Sequence, residues 1–127
     1  RDDVESRGLG DVYKRQQQDR RADAVKLYRE LAADVRSKEG SAAAYYVLED
    51  TFEKGDMDKT EKAIFAYSER EPQAYWLAKA FILLGDVYVR KGDNFQARAT
   101  YQSVADGYSP ADDGIVAEAK ERIAKLN

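Results

Sequence analysis

The chain of 127 residues has no cysteine and no histidine. Their absence removes thiolate nucleophiles, disulfide frameworks, the sulfur and imidazole ligands of structural zinc, and imidazole acid–base catalysis together. Proline is scarce, at two residues, so helices meet few obligatory breaks. No apolar run approaches the roughly 18 residues that a membrane-spanning helix needs; the longest, Ala80–Leu84, falls far short. An excess of one charge is missing too. Twenty-one basic and 24 acidic residues give a net charge of −3, with both signs interspersed. The even basic stripe expected of a nucleic-acid binder is therefore absent. What is present is 43% hydrophobic and 35% charged residues, rich in Ala, Glu, Lys, Leu and Arg. This is the composition of a soluble, mostly helical protein, and it leaves the compartment open.

Ser6–Gln16 reads SRGLGDVYKRQ. It resembles the in-frame translation of a transposase-type sequencing-library adapter, and Arg1–Glu5 fits the segment that precedes it with its sample index. Residues 1–16 are accordingly taken as adapter-derived and set aside from fold reasoning. Residues 17–127 are taken as the native helical domain, expected to be the C-terminal end of a longer protein. Leu9–Tyr13 and Leu84–Tyr88 are the same pentapeptide, but the match is not read as an internal repeat. Gly85 lies twelve residues before Ala97, whereas Gly10 lies fourteen before Ala24, out of register by two.

From residue 17 onward the apolar periodicity predicts six helices. The first, 17–38, carries Ala24, Leu27, Tyr28, Leu31 and Val35 on one stripe, with Gly40 as its stop and Ser41 as the cap of the next. The second, 41–54, buries Ala44, Val47, Leu48, Thr51 and Phe52. Gly55-Asp56 turns into a third helix, 58–69, with Ala63, Ile64 and Tyr67 inward. Glu71-Pro72 breaks the chain. Helix 73–90 is apolar over more than half its circumference, as a helix with neighbours on two sides would be. Gly92-Asp93-Asn94 leads into helix 94–106, with Ala97, Tyr101, Val104 and Ala105 inward. After a loop containing Pro110 comes helix 115–126, with one apolar stripe of Ile115, Ala119, Ile123 and Leu126, as suits a terminal cap.

The turns at Gly55 and Gly92 are 37 residues apart and Pro72 and Pro110 are 38 apart. The central unit places Phe81, Leu84, Gly85, Tyr88, Ala97, Tyr101, Val104 and Pro110 in an order that resembles the tetratricopeptide repeat. A more degenerate unit precedes it, with Ala44, Val47, Leu48, Thr51, Thr60, Ile64, Tyr67 and Pro72. Ala24, Tyr28 and Leu31 match the second helix of a still earlier one. The stretch from Ala74 to Tyr108, with its Asp-Asp loop and closing helix, is similar to the ending of large tetratricopeptide proteins of Bacteroidetes-type bacteria. The resemblance implies an all-α fold of antiparallel helix-turn-helix repeats, stacked as a short right-handed solenoid with a C-terminal capping helix. It points to the periplasm or cell envelope rather than the cytoplasm.

The resemblance also implies a concave binding surface on the first helix of each repeat. In the central repeat it would comprise Lys79, Ile82, Asp86, Val89 and Arg90, and in the preceding one Ala42, Tyr45, Glu49, Phe52 and Glu53. Exposed Ile82, Val89, Phe52 and Tyr45 among charges would suit a helix or peptide. Ile82 and Asp86 stand where chaperone-binding relatives need Lys and Asn to clamp a carboxylate, which argues against a C-terminal carboxylate as ligand. Other clusters read more plainly. Glu49, Asp50 and Glu53 are expected to be a solvated helix face rather than a cation site. Asp112 or Asp113 is expected to be a helix cap, since the spacing of a calcium loop is missing. Tyr45-Tyr46 and Tyr75-Trp76 are expected to pack in the core with one partner-facing ring each. No phosphate loop or nucleophile elbow occurs, so no catalytic, cofactor-binding or metal-binding residue is assigned.

The expected function is a non-enzymatic scaffold that binds another protein or peptide, or packs on upstream repeats of its own chain, with neither nucleic acid nor direct membrane insertion. The alternative is a regulatory helical appendage of an enzyme whose catalytic domain lies upstream.

Overall fold

The computed structural model describes residues 2–109 and 112–126, and of residues 2–11 and 13 the backbone alone. Pro110, the last member of the repeat signature, lies outside the described residues. The regular structure is all helical: α1 (Asp2–Leu31), α2 (Lys38–Glu53), α3 (Met57–Glu69), α4 (Ala74–Arg90), α5 (Asn94–Gly107) and α6 (Ile115–Ala124). Each helix packs on the next, and α4 also packs on α2 and on α6. Among the described residues, the odd-numbered helices make no such contacts with one another. The even helices thus lie side by side, with α3 and α5 each wedged between two of them.

The turns follow from side-chain chemistry. Asp56 caps α3 by accepting from the Lys59 amide at 3.0 Å, and Asp93 caps α5 by accepting from Gln96 at the same distance. Gly55 and Gly92, just before these caps, adopt φ of 92° and 81°, which disfavours any side chain. Asp113 accepts from the Ile115 amide at 3.1 Å and so satisfies the start of α6. Pro72 ends the α3 region, and Glu71 before it is held at φ 59°.

The core centres on α4. Ala80, Ile82, Leu84, Val87, Ala97, Tyr101 and Ile64 are each at most 3% exposed. Gly85 is what lets α5 come this close. A Cβ there would fall 2.2 Å from Cε1 of Tyr101, so the ring occupies the space a side chain would need. Ala97 and Tyr88 are buried around the same crossing, and Phe81 packs against it half-buried.

Two expectations are corrected at the start of the domain. α1 does not reach residue 38. It ends at Leu31, and α2 begins at Lys38, capped by Ser37, whose Oγ accepts from the Gly40 amide at 2.9 Å. Gly40 is therefore not a stop. It sits in the first turn of α2 against the Asp34 carbonyl, where a Cβ would fall 1.7 Å from the oxygen. Ser41 is not a cap either. Fully buried, it donates to the Val35 carbonyl at 2.6 Å and accepts from the Gln73 amide at 2.9 Å. Its own carbonyl accepts from the Tyr67 hydroxyl at 2.7 Å. One small side chain thereby ties the α1–α2 turn to the α3–α4 turn.

The second correction concerns the α1 stripe. Val25 and Val35 are buried, but Leu27 is 59% and Leu31 54% exposed. α1 packs on α2 alone, so half of its apolar surface has no neighbour among the described residues. The helix runs unbroken across residue 17, and the described side chains at 12 and 14–20 are exposed.

Candidate functional site

The expected concave surface lies on α2 and α4, which the packing brings side by side. Besides half-buried Ala42, its nine other residues divide by burial. Glu53, Val89 and Arg90 are exposed, Glu49, Phe52, Lys79 and Asp86 are half-buried, and Tyr45 and Ile82 are buried, at 7% and 2% exposure. Ile82 is thus core, not surface, and the expectation of an exposed Ile82 is corrected. The reason is α6. Lys79 and Asp86 flank Ile82 on one face of α4, and both reach α6. Lys79 Nζ lies 3.8 Å from Glu118, and Asp86 receives Arg122 in a two-pronged pair, Nε to Oδ1 at 3.1 Å and Nη2 to Oδ2 at 3.3 Å. Ile82 shares its core cluster with Ile115 and Ala119 of the same helix. Tyr45 is covered differently: its ring stands 5.6 Å from Trp76 and 5.7 Å from Tyr46, with Lys79 Nζ 5.7 Å above it.

Asp86 is the hub of the arrangement. Besides the Arg122 fork it accepts a hydrogen bond from the Tyr101 hydroxyl, so a ring buried at the α4–α5 crossing also helps fix α6. Burial, and then the bond to Asp86, pushes the Tyr101 hydroxyl well above its ordinary range. Burial alone would lower the Arg122 guanidinium, but the Asp86 carboxylate more than offsets it and holds the charge in place.

Below the hub the surface opens into a cleft of about 360 Å³ between α2, α4 and the end of α6, with Phe52, Val89 and Leu126 as walls and Arg90, Arg122 and Lys125 at the rim. Arg90 lies over the Phe52 ring, its guanidinium carbon 4.6 Å from the centroid. A larger cleft of about 630 Å³ runs between α1 and α2 past Arg21, Val25, Asp50, Glu53 and Lys54, of which Glu53 alone belongs to the expected surface.

Above the hub, five rings form a chain across three helices. Tyr28 stands 5.2 Å from Tyr46, Tyr46 5.6 Å from Trp76, and Trp76 5.0 Å from Tyr75, with Tyr45 against both Tyr46 and Trp76. Tyr45 is buried while Tyr46 and Tyr75 are each 37% exposed. This agrees with the expected mixture of core ring and outward ring.

Of the acidic cluster, Asp50 departs from the expected solvated face, while Glu53 is exposed and Glu49 half-buried. Asp50 is 4% exposed and receives Arg21 of α1 and Lys54, each at 3.0 Å, while Arg21 also reaches Glu53 at 3.2 Å. Burial pushes the Asp50 carboxyl up, but Lys54 and Arg21 together hold it below the usual range. No group of three or more acidic side chains converges on a cation position among the described residues. Nor is any helix among them long and apolar enough to cross a membrane.

Sequence reasoning missed Arg21, Arg122 and Ser41, each of which joins elements far apart in the chain. Their spacing to Asp50, Asp86 and Gln73 follows no local period, so no signal along the sequence could have paired them. Comparison of the chain with protein-family models, with curated proteins and with solved structures finds no match.

Proposed function

We propose that this protein is a non-enzymatic binding scaffold of the tetratricopeptide type. In this reading α2–α3 and α4–α5 are two repeats of a short right-handed solenoid, and α6 is its cap. The observation that carries it is the lateral packing of α2, α4 and α6, which leaves Phe52, Val89 and Arg90 on one open face. The glycine–aromatic crossing of Gly85 under Tyr101 and the turns at Gly55 and Gly92, 37 residues apart, support the same assignment. Apolar side chains mixed with charges on such a face suit a protein or peptide ligand.

The test uses exposed positions only, because Tyr45 and Ile82 would unfold the site if changed. Val89→Asp/Arg90→Glu should keep the melting temperature of the wild type and lose most of the partner recovered by affinity capture. Equal recovery of every partner by both proteins would sink the assignment of this face.

A further inference from the structure

We infer that the cleft formed by Phe52, Val89, Arg90, Arg122, Lys125 and Leu126 takes an acidic amphipathic peptide segment, read through side-chain carboxylates. The inference rests on the binding-scaffold reading above and names the partner of that face. Three observations carry it.

The first is charge. The chain as a whole is negative, at −3, yet this cleft is lined by Arg90, Arg122 and Lys125 against one carboxylate, Asp86. Arg122 is compensated by Asp86 and by Glu118 at 3.6 Å, which leaves Arg90 and Lys125 as the cations a ligand would meet. Asp86 is already spoken for by Arg122 and Tyr101, so it neither repels an anion strongly nor offers itself to a cation. Among the described residues Lys125 pairs with Glu121, one turn away at 3.1 Å, and the two are 71% and 66% exposed. Such a pair is weak and exchanges readily for another carboxylate.

The second is Arg90. Among the described residues its guanidinium has no ion pair. It stacks on Phe52 instead. The contact with the ring uses none of the guanidinium's five N–H donors, and these form the fork that matches a carboxylate.

The third is the apolar lining. Phe52 and Leu126 are half-buried and Val89 is 40% exposed, so the floor would bury leucine-sized side chains placed between the carboxylates. A C-terminal carboxylate is not required. The deeper part of the face is closed by α6 over Ile82, which leaves the cleft open to a segment lying across it.

The test titrates two fluorescein-labelled helical peptides of about twelve residues into the full chain, both with leucines at i, i+3 and i+4 spacing. One carries Glu at the remaining positions and the other Lys. The Glu peptide should bind with a dissociation constant on the order of 100 µM or tighter, at least about tenfold more tightly than the Lys peptide, and more weakly as salt is added. Arg90→Glu and Lys125→Glu should each weaken it by roughly three- to tenfold, while Phe95→Ala, on the far side of α5 at 85% exposure, should leave it unchanged. Equal or tighter binding of the Lys peptide, or indifference to both charge reversals, overturns the inference and leaves the scaffold reading standing. Binding of neither peptide at about 1 mM also overturns the inference, and the scaffold reading then stands or falls by the affinity capture above.

Discussion

Helices α1 and α5 carry the same apolar pattern and meet opposite fates. In α5, Ala97, Tyr101 and Val104 are 0%, 1% and 6% exposed. The matching residues of α3, Thr60, Ile64 and Tyr67, are 0%, 0% and 3% exposed. In α1, Ala24 and Tyr28 are only half-buried and Leu31 is 54% exposed. The difference lies in the neighbours. α5 sits between α4 and α6, and α3 between α2 and α4, whereas among the described residues α1 packs on α2 alone. Apolar periodicity states which face a helix can bury. Whether it is buried depends on a second element arriving to cover it.

The contrast can be broken most forcefully at Tyr101. Tyr101→Ala should cost about 3–5 kcal/mol, the range for deleting a buried ring, and should also loosen α6 by removing a donor to Asp86. Thermal or urea unfolding measures it. Tyr28→Ala, its counterpart in α1, should cost well under half as much, and equal losses would mean the two helices are covered alike.

Gly85→Leu comes next. With Tyr101 already in the space of the missing Cβ, overpacking should cost roughly 1–3 kcal/mol. A melt unchanged within error would show that the crossing is looser than described. Gly107→Ala makes the control, since nothing lies within 4 Å of the added carbon.

Alkaline pH sharpens the same comparison by a different route. Burial raises the Tyr45, Tyr67, Tyr88 and Tyr101 hydroxyls, Tyr88 to about 12. A raised folded-state value means that the stabilisation is complete below the unfolded tyrosine value of about 10 and is lost as pH climbs from there toward the folded values. The melting temperature should therefore fall steeply between about pH 10 and 12. Tyrosinate absorbance should show a group of rings that ionise only as the chain unfolds. A smooth titration of all nine tyrosines well below the unfolding pH would contradict their burial.

The smallest effect belongs to α1. Leu27→Gln/Leu31→Gln replaces two side chains already more than half exposed and should shift stability by no more than about 0.5 kcal/mol. A loss several times larger, read in the same urea titration, would mean that something covers this face in solution.

Local chemistry made much of the architecture readable from residues in order. The Gly-Asp turns before α3 and α5, the break at Pro72, and the inward faces of α3, α4 and α5 follow from glycine's positive φ, aspartate capping, proline's missing N–H and the 3.6-residue period. Gly85 stands in the repeat signature, but that the Tyr101 ring fills the space of its missing Cβ belongs to the α4–α5 crossing. The start of the domain was less legible. Gly40 and Ser41 carry the local signs of a stop and a cap, yet they are spent on tertiary contacts with Asp34, Val35, Tyr67 and Gln73.

The candidate site divides in the same way. Its membership on α2 and α4 is what the resemblance implies, carried over position by position onto one face of each helix. Which of those side chains reach solvent does not follow from it, because α6 arrives from outside those two helices. It buries Ile82 and brings Arg122 to Asp86 across 36 residues of chain. The sequence by itself determined an all-helical protein with its turns and inward faces, since these depend on interactions within a few residues. Only the tertiary structure decided that Tyr45 and Ile82 are core, that Asp50 is buried under Arg21, and that Arg90 lies over Phe52 at the open end of the surface. Each of these depends on which distant helix packs where.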